Sequence, residues 1–312
     1  MSDSRPLAVF LMGPTAAGKT DAAIALYERL GCELISVDSA MVYRGMDIGS
    51  AKPSALELKR APHRLIDIRD PANPYSAADF RQDALCEMRQ ISQSGKVPLL
   101  VGGTMLYFKQ LVDGVANLPA ASPEIRTQLD KRWREEGLLA LHRTLAEVDP
   151  EAGKRIHPND PQRTLRALEV YYASGRPMSE LWAEQEASTF PWRVVSIALA
   201  PENRGVLHQR IAQRFALMLE EGLIDEVAAL KQRDDLHLGL PAMKSVGYRQ
   251  VWEYLDGEID HTALLERGVI ATRQLAKRQL TWLRRWKELH WVDSQHTHAL
   301  DNVLKLVRES GA

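Results

Sequence analysis

Gly13-Pro14-Thr15-Ala16-Ala17-Gly18-Lys19-Thr20 satisfies G-x-x-x-x-G-K-[ST] at every fixed position, and that spacing serves the holding of a phosphate or diphosphate. The glycines let the backbone curl so that several N–H groups point at one anion. A helix beginning at the loop's end aims its positive N-terminus at the same place. Lys19 adds a charge, and the Thr20 hydroxyl is a ligand suited to Mg²⁺. The motif does not say which reaction is run there.

Enzymes that hydrolyse nucleotides in such loops usually end a later apolar strand with an acid that holds Mg²⁺. Here the run Val97 to Val101 ends in Gly102-Gly103-Thr104 with no acid. Those glycines fit either a tight turn or the close approach of a flat ligand. An acid does follow the run Glu33 to Val37, as Asp38, leading into Ser39-Ala40-Met41. It has three readings: helix N-cap, metal ligand or general base. Further along, Arg210 and Arg214 stand four apart on a predicted helix from Asn203 to Glu221, so both can point to one ligand. Its buried stripe is Leu207, Ile211, Phe215 and Met218. Between Arg267 and Lys287, the residues Arg267, Arg273, Lys277, Arg278, Arg284, Arg285 and Lys287 meet no acid in sequence. Trp282 and Trp286 lie among them at spacings expected of core. Other basic clusters are Lys154-Arg155-Ile156-His157 with Arg163 and Arg166, and Lys244 with Arg249. Such patches suit a phosphate-backbone partner.

The elements that must position these residues are legible in outline. Apolar runs at Leu7 to Met12, Glu33 to Val37, Arg64 to Ile68, Val97 to Val101 and Val194 to Leu199 read as strands. Helical patterns fill most gaps, such as Asp21 to Leu30 ending at Gly31. In Ser76 to Ser94, Ser76 and Asp79 form a capping box, and Phe80, Ala84, Met88 and Ile91 trace one face. Alternating strands and helices imply an α/β fold, a P-loop parallel sheet with helices on both faces and ligands at the strands' carboxyl ends. Strand 2 would then set Asp38 beside the phosphate loop. The stretch between Val101 and Val194 is too long for a crossover, and its apolar positions are helical: Leu129, Trp133, Leu138, Leu141 and Leu145, then Leu165, Leu168 and Tyr172. The expected organisation is a core of residues 1–114 and 193–312, with an all-helical insertion over 115–192. After the fifth strand the chain is expected to be helical to its end.

Composition narrows the class. The chain has 312 residues, of which 45% are hydrophobic and 26% charged, the balance of a globular protein with a sizeable core. No apolar run is long enough to span a bilayer and no leader pattern opens the chain, so a cytoplasmic protein without membrane association is expected. Cys32 and Cys86 are too few for a disulfide framework or metal cluster and read as buried or half-buried thiols. The net charge of −1 means that any nucleic-acid partner must be held by local patches.

Several segments, in order, resemble the bacterial tRNA dimethylallyltransferases, also called tRNA isopentenyltransferases. They are GPTAAGKT from Gly13, ISVDSAMVYRGMDIGSAKP from Ile35, PHRLIDIRDP from Pro62, YSAADFRQDA from Tyr75 and LLVGGTMLYF from Leu99. RIHPNDPQRTLRALEVY from Arg155, VGYRQVWEYL from Val246 and ATRQLAKRQLTWLR from Ala271 complete the set. The zinc-binding extension of some eukaryotic relatives is not expected. The resemblance implies transfer of a dimethylallyl group from dimethylallyl diphosphate to N6 of adenine 37, in tRNAs reading codons that begin with U. It implies that Gly13, Pro14, Thr15, Ala16, Ala17, Gly18, Lys19 and Thr20 hold the diphosphate, with Mg²⁺ bound through Thr20. Asp38 would be the proton acceptor, and Lys19, Thr20 and Arg214 would complete the catalytic set. Contacts to the tRNA anticodon stem-loop would come from Asp38, Ser39, Ala40 and Met41, from Thr104 and Arg126, and from Gln162, Arg163, Thr164, Leu165 and Arg166. Lys244, Ser245, Val246, Gly247, Tyr248 and Arg249 would add to them. A monomer is expected, with the helical insertion gripping the stem-loop. The main competing reading is a P-loop kinase of a nucleotide or small alcohol, with Asp38 activating the acceptor; a non-catalytic RNA-binding protein is a third.

Overall fold

A computed structural model describes residues 4–116, 118–119, 122–184 and 189–312. Strands β1 (Leu7–Met12), β2 (Glu33–Val37), β3 (His63–Arg64), β4 (Pro98–Gly102), β5 (Arg193–Ala200) and β6 (Leu289–Asp293) form one sheet in the order β3-β2-β4-β1-β5-β6. Every pairing is parallel. β1 lies mid-sheet, and its alternation is apolar on both faces. Ala8, Phe10 and Met12 enter one core with Ile35, Val37, Phe80 and Met88. Val9 and Leu11 enter the other with Ile24, Leu26, Val303 and Val307. A strand buried on both faces reads as a continuous apolar run, as Leu7 to Met12 does. The expected parallel α/β sheet covered on both faces is the observed one.

The helix Ala77–Gln93 forms as its sequence dictates. Ser76 Oγ accepts the Asp79 amide, while Asp79 Oδ2 accepts the Ser76 amide at 2.8 Å. Phe80, Ala84, Met88 and Ile91 are its buried residues, each worth about 1–3 kcal/mol of burial for the larger side chains.

Two strand expectations are corrected. The third strand stops at Arg64 rather than reaching Ile68, because Leu65 (φ 63°) and Asp67 (φ 57°) take left-handed backbone that cannot continue a ladder. The chain is not helical after β5: β6 pairs with β5 from Ser196↔Leu289 to Ala200↔Asp293. This edge strand leaves His290 and Trp291 exposed and buries only Val292 fully, so its apolar signal is faint. Trp286, just before it, packs against the core, and its Nε1 donates to Ser196 Oγ at 3.1 Å.

The chain divides into two compact units, Met1–Val112 with Phe190–Ala312, and Asp113–Thr189. The boundary differs from 115–192 because Phe190 and Trp192 pack in the sheet core, where Trp192 Nε1 donates to Ser92 Oγ at 2.9 Å. The second unit is helical among its described residues and has its own core of Leu129, Leu141, Leu145, Leu165 and Leu168. Trp133 and Tyr172, expected on that stripe, are exposed instead. Tyr172 Oη accepts from Arg132 at 3.1 Å. Cys32 is buried, whereas Cys86 is exposed, not half-buried.

Candidate active site

A cavity of about 750 Å³ opens at the carboxyl ends of β1, β2 and β4. Its floor is the loop after β1. Gly13 allows that loop to leave the sheet, since a Cβ there would lie 2.3 Å from the Leu199 carbonyl oxygen of β5. Gly18 (φ 88°) occupies the left-handed region as the helix Lys19–Leu30 begins. Thr15 through Thr20 line the cavity. The Lys19 ammonium turns back to donate to the Pro14 carbonyl at 2.8 Å. Burial, reinforced by the neighbouring Arg214 and opposed by Asp38, lowers the Lys19 pKa to about 8.

Asp38 stands across the cavity from this loop, at the end of β2. It caps no helix. Oδ1 accepts the amides of Ala40 (2.8 Å) and Met41 (3.2 Å), fixing a turn and one carboxylate orientation. Burial raises its pKa above the usual carboxylate value. The two amides and the charges of Lys19 and Arg214 oppose that shift. The Thr104 hydroxyl oxygen, on the loop after β4, accepts the Ser39 amide at 3.2 Å. The glycines before Thr104 are needed for close approach within the protein. A Cβ on Gly102 would lie 2.0 Å from the Val37 oxygen, and one on Gly103 would lie 2.3 Å from Gln279 Nε2.

Helix Arg204–Glu220 contributes Ile211, Arg214, Phe215 and Met218 to the cavity wall. Met218 is only half-buried as a result. Arg210 does not join Arg214: its guanidinium points to Ser294, 3.4 Å away. Positions four apart on a helix differ by about 40° of rotation, enough to send two long side chains apart. Helix His261–Leu283 presents Thr272, Leu275, Arg278, Gln279 and Trp282 to the cavity. Trp282 is therefore a cavity-wall residue with 38% of its surface exposed, not core. Among the described residues, no group of three or more His, Cys, Asp or Glu could hold a metal by itself. The donor set that exists, one threonine hydroxyl at the end of a phosphate loop, fits a Mg²⁺ carried largely by diphosphate oxygens and water.

The cavity thus combines a phosphate loop with a half-buried carboxylate and a half-buried arginine. The sequence model of the IPP transferase family matches residues 41–286. The chain belongs to that family. It is 67% identical over 310 residues to a tRNA dimethylallyltransferase of Chromohalobacter salexigens, covering 99% of each chain. The crystal structure of the tRNA isopentenylpyrophosphate transferase of Bacillus halodurans is similar at 36% identity and TM-score 0.67, over 98% of this chain and 100% of that one. A eukaryotic dimethylallyltransferase acting on tRNA shares the fold, with TM-score 0.78 at 24% identity over 93% of this chain and 74% of that one.

The remaining expected residues of this family member fall into distinct groups. Ser39, Ala40, Met41, Thr104, Lys244, Ser245 and Val246 line the same cavity as Asp38. Tyr248 does not. It is fully buried, donating to Glu226 Oε1 at 2.6 Å, and Gly247 is buried beside it. Glu226 also accepts the amides of Asp47, Ile48 and Gly49, and so shapes the loop whose Gly49 to Ala51 form part of the cavity wall. Direct RNA contact by the Tyr248 side chain thus gives way to support of that wall. Arg249 is exposed and pairs with Glu253, as does Arg267 at 3.6 Å. The basic stretch therefore does meet an acid, one supplied by another helix.

In the helical unit, Gln162 and Arg163 are exposed at the start of helix Pro161–Ser174, but Thr164 and Leu165 are sealed in its core. Side-chain contact with RNA is closed to those two. Arg166 donates to Glu169 and to the Pro119 carbonyl, and Arg126 lies 3.9 Å from the same buried Glu169. Arg155 stacks its guanidinium over Trp182 at 3.9 Å. Gln279, Glu226, Glu57 and His63 belong to the cavity or its support and were missed. For Gln279 a signal existed: Thr272, Leu275, Gln279 and Trp282 recur at spacings of one helical face.

Proposed function

We propose that this protein transfers the dimethylallyl group of dimethylallyl diphosphate to N6 of adenine 37, in tRNAs reading codons that begin with U. The products are N6-isopentenyladenosine and diphosphate. The observation that carries this reading is one cavity lined by a phosphate loop, a half-buried carboxylate and a half-buried arginine, in a chain of the IPP transferase family. The adenine N6 lone pair is delocalised into its ring, so N6 attacks well only if a base removes its proton as the N–C bond forms. Asp38 is that base. Its burial raises its basicity, while the charges of Lys19 and Arg214 oppose that rise and favour the carboxylate. As the new bond forms, the donor's C–O bond breaks and its electron pair goes to the diphosphate oxygen. The loop amides, Lys19 and Arg214 stabilise that growing charge. Thr20 would hold Mg²⁺, which supplies Lewis-acid neutralisation of the leaving group when bound.

An adenine stacked in an anticodon loop must turn out to enter such a cavity. Because they line this cavity, Ser39 to Met41, Thr104 and Lys244 to Val246 are assigned to the incoming base, and Arg126, Gln162, Arg163 and Arg166 of the helical unit to the stem-loop. No helix among the described residues is long and apolar enough to cross a membrane. A cytoplasmic monomer suits the substrate. The test is mass spectrometry of adenine 37 after incubation with unmodified tRNA, dimethylallyl diphosphate and Mg²⁺. A mass gain of one dimethylallyl group supports the reading. Phosphorylation of a small molecule from labelled ATP, with no prenylation, replaces it with the kinase reading.

A further inference from the structure

Gln279 is a buried polar side chain, only 8% exposed, on a helix far from the phosphate loop in sequence. Its Oε1 accepts the Thr15 amide at 3.0 Å, and its Nε2 donates to the Gly103 carbonyl at 3.0 Å. One partner is a phosphate-loop amide. The other belongs to the loop whose next residue, Thr104, accepts the Ser39 amide beside Asp38. The contacts run without a gap from Thr15 through Gln279, Gly103, Thr104 and Ser39 to Asp38. A side chain at position 103 would occupy the space of Nε2, so the glycine and the glutamine fit together. A carboxamide accepts at one end and donates at the other at any pH, whereas a carboxyl of the same length can do so only when protonated. Resting on the function proposed above, we infer that Gln279 is a positioning residue: it holds the diphosphate loop in register with the turn that carries Asp38.

The reaction needs this register. The leaving oxygen and the proton acceptor lie on opposite sides of the reacting carbon and nitrogen, and misplacement by about 1 Å can cost about a hundredfold in rate. The Thr15 amide is also committed to Gln279 instead of opening into the cradle. Losing Gln279 would free that amide to bind phosphate. The donor would then bind as well as before, or better, while reacting more slowly.

Three variants test this. Gln279→Leu removes both hydrogen bonds at similar volume, and Gln279→Asn retracts the amide so that it cannot span both partners. Gln279→Glu keeps the acceptor for Thr15 but cannot donate to Gly103 while ionised. Amide hydrogen exchange is expected to quicken in segments 13–20 and 102–105 of Gln279→Leu, and chiefly in 102–105 of Gln279→Glu. Single-turnover prenyl transfer is expected to fall about ten- to a hundredfold in Gln279→Leu, with the donor KM unchanged or lower. Gln279→Glu should recover relative to wild type as pH falls and its carboxyl regains a proton to donate. Should Gln279→Leu fail to fold, Gln279→Asn and the pH response of Gln279→Glu decide. Wild-type exchange in both segments, a loss confined to donor KM, or a Gln279→Glu defect independent of pH overturns the assignment. A wild-type protein that transfers no prenyl group would sink the proposed function instead, and the exchange experiment would still decide the clamp.

Discussion

Asp38→Asn tests the proposed proton acceptor with little structural disturbance. Asn retains an oxygen where Oδ1 accepts the Ala40 and Met41 amides at 2.8 and 3.2 Å, so the turn is kept and only the charge is lost. Lys19, Arg214 and the phosphate loop remain to stabilise the leaving group. The expected loss is therefore that of a general base alone, about 10²- to 10⁴-fold, or roughly 3–5 kcal/mol in the barrier. It should appear in single-turnover rates with enzyme in excess and donor saturating, while filter-binding affinity for tRNA changes far less. The pH profile gives a second reading. The proposed base must be ionised to act, and burial raises the Asp38 pKa, so the acid limb of kcat/KM should lie above the ordinary carboxylate range and vanish in the Asn variant. In its proposed role Lys19 must be protonated, and its pKa is lowered to about 8, so kcat/KM should fall on the alkaline side from there. A variant rate within a few-fold of wild type, or an acid limb that survives the substitution, would show that Asp38 only shapes the turn.

Lys19→Ala and Arg214→Ala should each slow the chemical step by a few kcal/mol's worth of lost charge stabilisation, about 10²- to 10³-fold. tRNA affinity measured without donor should stay near wild type, and a weakened tRNA complex with intact chemistry in Arg214→Ala would put that side chain on the other substrate. Binding of tRNA should weaken steeply with salt despite the net charge of −1, each phosphate contact adding roughly −0.7 to −0.9 to the slope of log K against log salt. Lys277→Ala and Arg278→Ala should each reduce that slope if their side chains meet phosphates; a flat salt response argues for stacking and base contacts instead. Gly268→Ala should destabilise the fold by about 1–3 kcal/mol in denaturant titration, because its Cβ would lie 1.9 Å from the Phe215 ring on the cavity wall. Unchanged stability would mean that Phe215 has room to retreat.

The sequence by itself determined the features whose causes lie within a few residues. The phosphate loop is one, since its glycines and the helix that follows it are contiguous. The Ser76–Asp79 capping box and the two-sided apolar run of β1 are others, and the ordered family motifs extended that legibility to the reaction. The tertiary structure decided which of the distant candidates converge. Arg210 and Arg214 share a helix and a spacing, yet only Arg214 lines the cavity. Tyr248 lies in a family motif but is turned inward to Glu226, and the acid that Arg267 pairs with comes from another helix. β6 was invisible because an edge strand buries too little to need an apolar pattern. Gln279 could not be assigned from its neighbours because its two partners, Thr15 and Gly103, lie in loops from the other end of the chain. Local patterns record how the backbone is satisfied nearby, whereas a buried polar side chain is defined by whichever groups the fold brings to each of its ends.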